Sequence, residues 1–96
     1  MIYDFAIDMG IIHTLARVPG KQLRVSEITS GVCRHNNESL EELTPYQQKA
    51  IRERVYRHVK KLAKLGYVKT HNTLTDLKTP LLKVEITEKA KYQETC

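Results

Sequence analysis

Between Pro45 and Leu65 the chain carries seven bases, Lys49, Arg52, Arg54, Arg57, Lys60, Lys61 and Lys64, against one acid, Glu53. The segment is net +6 and the whole chain is net +5, so everything outside it sums to −1 and the basic character is local. Positive charge at this density suits a polyanionic partner without naming one, and the phosphates of DNA, whose neutralisation releases counterions, would give it a reason. The same segment holds groups that address base edges. An α-helix fits the major groove of a DNA duplex, where arginine takes guanine bidentately and glutamine takes adenine. Gln47, Gln48, Lys49, Arg52, Glu53, Tyr56 and Arg57 fall in its first turns.

At about 100° per residue, Ile51, Val55, Val59 and Leu62 share one side of a helix. Lys49, Glu53, Tyr56, Arg57, Lys60 and Lys64 fall opposite, and Arg52 and Lys61 flank them. Gln47, Gln48 and Arg54 lie toward the apolar side. A merely solvated basic face would set acids four residues ahead of bases to form local ion pairs. Only Glu53 and Arg57 fit that order, Lys49 and Glu53 have the less favourable one, and Arg57–Lys61 and Lys60–Lys64 repeat like charges four apart. So little internal compensation points to a face that awaits an anion.

The elements that position this face follow from local signals. Thr44 suits an N-cap, Pro45 the first helical position and Gly66 a C-terminal stop, which predicts a helix over 45–65. A first helix lies within residues 1–18, from about Tyr3, and Pro19-Gly20 ends it. Phe5, Met9, Ile12 and Ala16 form one apolar row along it, and Ile7, Ile11 and Leu15 form a second. A helix with one buried face needs one row, so the other meets either its own core or a second copy of the chain. Gln22–Val25 suits an extended segment, and Ser26 suits the N-cap of a short helix over 26–34, with Glu27 in the first turn and Ile28 and Val32 on one face. The polar, acid-rich stretch Arg34–Leu43 is expected to be a loop. Tyr67–His71 and Leu81–Ile86 suit two strands of a hairpin over 67–86 joined by a polar loop from Asn72 to Pro80. Thr87 suits the cap of a last helix over 87–95.

With 96 residues, a single domain is expected. No apolar run approaches the roughly 20 residues of a membrane span. The opening MIYDFAIDMG carries acids where a signal peptide has a basic region. Two cysteines, Cys33 and Cys96, are too few for a disulfide framework. Both observations favour an intracellular protein, cytoplasmic or nucleoid-associated. Cys33 is expected to be a small buried hydrophobe, and Cys96 could bond within or between chains.

Catalytic and metal-binding signals are missing. His13, His35, His58 and His71 have no metal spacing, Cys33-x-His35 supplies two ligands where zinc needs three or four, and no phosphate loop or nucleophile motif occurs. Asp4 and Asp8 share a helix face without further partners for paired-carboxylate chemistry. His58 falls on the apolar face and is expected to pack as a core histidine. No enzyme, metal, cofactor or small-molecule effector is therefore expected.

The run VYRHVKKLAKLGYVKTHN, followed by a polar loop and VEITEKA, resembles winged helix-turn-helix regulators of the MarR and PadR kind. Leu62, Gly66, Tyr67 and Val68 match the end of that family's recognition helix, and Val84, Ile86 and Thr87 match the run out of its wing. Ala90 stands where the family usually has glycine, and Arg34–Leu43 makes the connection between the two helices longer than is usual. The resemblance covers about Leu23 to Tyr92. It implies a mainly α fold with a small β-hairpin, built as a three-helix core with a two-stranded wing, in which 26–34 and 45–65 form the helix-turn-helix. It implies a homodimer, which here would rest on the first helix, and DNA binding through the helix from Pro45, with Tyr56 and Arg57 at positions that often face the groove.

Together these features predict sequence-specific binding of double-stranded DNA by a small transcription regulator, of a size that suits a phage, plasmid or viral protein. The helix over 45–65 would enter the major groove and the wing over 69–83 would follow the backbone. The expected contacts are Gln47, Lys49, Arg52, Glu53, Arg54, Tyr56, Arg57, Lys60, Lys61, Lys64, Lys69, His71 and Lys78. The alternatives are a winged-helix protein-interaction module, which would more often expose an apolar patch, and an RNA binder, which would expose stacking aromatics on a sheet. Phe5 is expected to be buried and the five tyrosines are scattered, which favours neither.

Overall fold

The structure, a computed structural model, describes residues 3–74 and 80–90, without the side chains of residues 73, 74, 80 and 81. The elements run α1 (Asp4–Ala16), β1 (Leu23–Arg24), α2 (Val25–His35), a 3-10 turn (Leu40–Glu42), α3 (Pro45–Lys64), β2 (Val68–Leu74) and β3 (Pro80–Ile86). The fold is mainly helical with a small antiparallel sheet, as the sequence predicts.

Of the two apolar rows of α1, one is wholly buried and the other is split. Ile7, Ile11 and Leu15 are fully buried, and Ile12 nearly so. Phe5 and Met9 face outward, 71% and 49% exposed, which corrects the expectation that Phe5 is buried. The cause is geometric: against α2, α3 and β3 there is room for one row of α1 and for Ile12 beside it, and not for Phe5 and Met9. Small residues bring α1 and α2 close. A Cβ on Gly31 would run into the Thr14 side chain, so glycine lets the two helices cross this closely.

Helix α2 begins one residue before the expected cap. Arg24 is the capping residue, and its backbone N–H donates to Glu27 Oε1 at 3.1 Å. Ser26 therefore sits inside the first turn and does not cap. Ile28, Val32 and Cys33 are buried on the core side, where burial and the nearby Glu38 and Glu41 charges push the Cys33 thiol up. A thiol so placed stays protonated and is a poor nucleophile. The helix ends at Asn37, whose φ of 61° lets Glu38 N–H reach Cys33 O and Asn37 N–H reach Arg34 O.

The connection to α3 is held in place. Gln48 Nε2 donates to Leu40 O at 3.0 Å and to Leu43 O at 3.1 Å, tying the 3-10 turn to the helix it precedes. Thr44 and Gln47 form a reciprocal capping box: Thr44 Oγ1 accepts from Gln47 N, and Gln47 Oε1 accepts from Thr44 N. Pro45 occupies the first helical position. Ile51, Val55, Val59 and Leu62 are the buried stripe of α3. The helix stops at Gly66, φ +87°, which lets Tyr67 N–H reach Leu62 O and Gly66 N–H reach Ala63 O.

The sheet differs from the expected hairpin in two ways. Strand β2 runs on through Asn72 to Leu74, so the expected loop from Asn72 is shorter, with Asn72 opposite Leu82 and Leu74 opposite Pro80. The sheet also has three strands in the order β1-β3-β2, because Leu23 and Arg24 pair with Val84 and Lys83. That pairing was invisible in a two-residue extended segment. Val68, Val84, Ile86 and Leu23 close the core from the sheet side. At the exit of β3, Thr87 Oγ1 donates to Gly66 O (2.7 Å), and Lys89 Nζ donates to Leu65 O (2.9 Å). The sheet is thereby fastened to the end of α3. A helical turn starts at Glu88 and Ala90 is buried; the rest of the expected last helix, like Cys96, lies outside the described residues. No helix among the described residues is long and apolar enough to cross a membrane.

Candidate nucleic-acid interface

The bases of α3 divide into two sets. Arg54 and Lys61 turn toward α1, where Asp4 and Asp8 stand on its facing side. Arg54 Nη2 lies 2.8 Å from Asp4 Oδ1, and Lys61 Nζ lies 2.7 Å from Asp8 Oδ2. His58 sits between them, with Nδ1 2.7 Å from Asp8 Oδ1 and Nε2 3.4 Å from Asp4 Oδ1. This corrects its expected role as a histidine packed among apolar groups: its side chain is 14% exposed and its ring nitrogens face carboxylates. The hydrogen bond from Arg54 holds the Asp4 carboxyl below the usual carboxylate range. The two acids of α1 are thus structural partners of α3.

The second set is Lys49, Arg52, Arg57, Lys60 and Lys64. All five are exposed, and among the described residues none is paired with a carboxylate. Glu53 lies among them and also makes no ion pair there, not even with Arg57 one turn on. The Lys60 ammonium stands 4.8 Å over the Tyr56 ring, which fixes its charge one turn beyond the tyrosine.

Part of this face forms the wall of a groove of about 710 Å³. Arg52, Glu53, Tyr56 and Arg57 line it from α3, Arg24 and Ser26 from the start of α2, and Asn72 and Leu82 from the sheet. Arg24, Ser26 and Asn72 were not among the residues expected at the interface. Arg24 arrives there only because β1 pairs with β3, which also sets Arg24, Lys83 and His71 side by side across the three strands. The one sequence signal for it was the extended segment that precedes α2.

The remaining expected contacts are scattered. Gln47 is exposed but engaged in the capping box. Lys64 is exposed in the last turn of α3, and Lys69 is exposed on β2 opposite Glu85. His71 Nε2 is 3.1 Å from Glu85 Oε1. Lys78 lies outside the described residues. The structure therefore gathers Arg52, Glu53, Tyr56 and Arg57 at one groove, sets Lys49, Lys60 and Lys64 elsewhere on the exposed part of α3, and draws Arg54 and Lys61 away to α1.

Large apolar side chains are also exposed at the start and along the outer side of α1 and at the end of α3. Tyr3 and Phe5 stack with ring centroids 6.4 Å apart. Met9 and Leu65, about half exposed, line a second groove with Ile12, Leu62 and Tyr67, rimmed by Asp8 and Lys61.

No protein-family model matches this sequence, and none of the curated proteins compared with it matches either.

Proposed function

We propose that the chain is a winged helix-turn-helix protein that binds double-stranded DNA and regulates transcription as a homodimer. The single observation that carries this is the division of charge on α3: α1 neutralises two bases, and five others stay exposed and unpaired among the described residues. Unpaired bases along one helix match the repeated charge of a phosphate backbone. The element order supports it as well. Two helices joined by a connection that includes a 3-10 turn are followed by a hairpin, and a third strand, which precedes the first of the two helices, pairs with it; in helix-turn-helix docking the second helix enters the major groove.

On this proposal Arg52, Glu53, Tyr56 and Arg57 face base edges, while Lys49, Lys60 and Lys64 meet phosphates. Lys69 and His71 place the hairpin on the backbone. Gln47, Arg54 and Lys61 serve the fold. The exposed apolar side chains of Tyr3, Phe5, Met9 and Leu65 take a second copy of the chain, so that two α3 helices address half-sites about one DNA turn, roughly 34 Å, apart. Those side chains are also the observation that favours the second reading, a winged-helix module that docks another protein without reading DNA.

A competition titration tests the choice. A labelled DNA duplex bound at low salt is challenged with unlabelled duplex DNA and duplex RNA of the same sequence. Displacement by DNA at much lower concentration than by RNA supports the proposal. Equal displacement makes the face a general polyanion binder, and no binding of the labelled duplex leaves the protein-docking reading in its place.

A further inference from the structure

Side chains that address base edges divide by chemistry: amides pair with adenine, arginine with guanine, and a carboxylate accepts from the amino group of cytosine. Helix α3 opens with two amides, and the fold uses both. Gln47 Oε1 accepts from Thr44 N–H at 3.0 Å. Gln48 Nε2 donates to Leu40 O and Leu43 O, at 3.0 and 3.1 Å. Moving the Gln47 amide to a base would break its half of the capping box, and moving that of Gln48 would release the connection before α3.

The side chains that α3 offers to the groove are Arg52, Glu53, Tyr56 and Arg57. Two are guanine readers and one is a cytosine reader. Glu53 is the informative member. It has a base four residues away on either side, Lys49 and Arg57, and pairs with neither. A carboxylate in the middle of an otherwise basic face opposes every phosphate that approaches, so it weakens binding to DNA of arbitrary sequence. It favours binding where a donor meets it, and in the major groove that donor is the cytosine amino group. Asn72, an amide that also lines the groove, stands across from α3 on β2, on the hairpin assigned to the backbone.

Resting on the DNA-binding reading above, we propose that this groove selects G·C base pairs, with Arg52 and Arg57 taking guanine and Glu53 taking cytosine, and that A·T pairs are disfavoured because both adenine-reading amides of α3 are held in the fold. Selection from a randomised duplex pool with the full chain, followed by anisotropy titrations of the winning duplex, tests it. G·C pairs are expected at the centre of each half-site. Replacing the contacted guanine by 7-deazaguanine, which lacks the N7 acceptor, should weaken binding at least about 5-fold, and Arg57→Ala or Arg52→Ala should abolish that penalty. Glu53→Gln, an isosteric change at an exposed position, should move the preference at one position from cytosine toward adenine. Duplexes bound without base preference, A·T pairs enriched at the half-site centre, or Glu53→Gln leaving the preference unmoved would each overturn this inference while DNA binding stood. Failure to bind any duplex at low salt would overturn the DNA reading, and this inference with it.

Discussion

Arg54 and Arg57 stand one helical turn apart and meet different surroundings. Arg54 lies against Asp4 on α1, whereas Arg57 lines the groove without an acid partner among the described residues. Their substitutions should separate accordingly. Arg57→Ala should weaken DNA binding and relax selectivity at one position by about 1–3 kcal/mol. Lys60→Ala should weaken binding to all sequences alike and lower the salt slope by about one unit. Arg54→Ala should leave that slope near the wild-type value, and a fall equal to that of Lys60→Ala would place Arg54 on the DNA. Asp4 adds a pH test. Its ionised carboxylate is stabilised in the fold, so its contribution is present above the ordinary Asp value of about 3.9. The contribution is lost as pH falls through the lowered folded value. Asp4→Asn should therefore flatten the stability curve at that acid end and nowhere near neutral pH. An unchanged acid limb in urea titrations would show that the pair carries nothing.

Elements whose signals are local could be read directly from sequence. Thr44, Pro45 and Gly66 all act within one turn of the helix end they define, and α3 starts and stops where they stand. The buried stripe of α3 was equally plain, since Ile51, Val55, Val59 and Leu62 recur at helical spacing. What sequence hid depends on partners far along the chain. His58 looked like a core residue until folding brought Asp8 to it from fifty positions away. Arg24 looked remote from α3 until β1 paired with β3. Which apolar side chains of α1 are buried was likewise set by what faces α2 and α3, and periodicity alone is symmetric between the two rows. The α1–α2 crossing gives the test at this scale. Gly31→Ala drives a methyl into Thr14, and overpacking of this kind costs about 1–3 kcal/mol. Adding Thr14→Ala should recover part of that loss in chemical denaturation. Additive losses in the double variant would place the strain elsewhere.

For the whole molecule, the two surfaces make separable demands. The apolar side chains of Tyr3, Phe5, Met9 and Leu65 are exposed, so charge can be added there without entering the core. On the proposed dimer, the parent chain should sediment as a dimer and the double variant Phe5→Glu, Met9→Glu should keep its helical content and sediment as a monomer. A folded variant that still dimerises would move the interface off α1. DNA affinity should fall in that variant too, because two linked half-site contacts become one. The proposed role of the basic face is to bind a polyanion, and that proposal is electrostatic before it is sequence-specific. The most direct measurement is therefore the salt dependence of binding to a DNA duplex, taken for the parent chain and for a variant with Lys49, Lys60 and Lys64 replaced by alanine. The proposal predicts affinity that falls steeply with salt, with a slope reduced by roughly three units in the variant, about one for each phosphate contact removed. Binding that is absent at low salt, or whose slope is the same in both proteins, would contradict it.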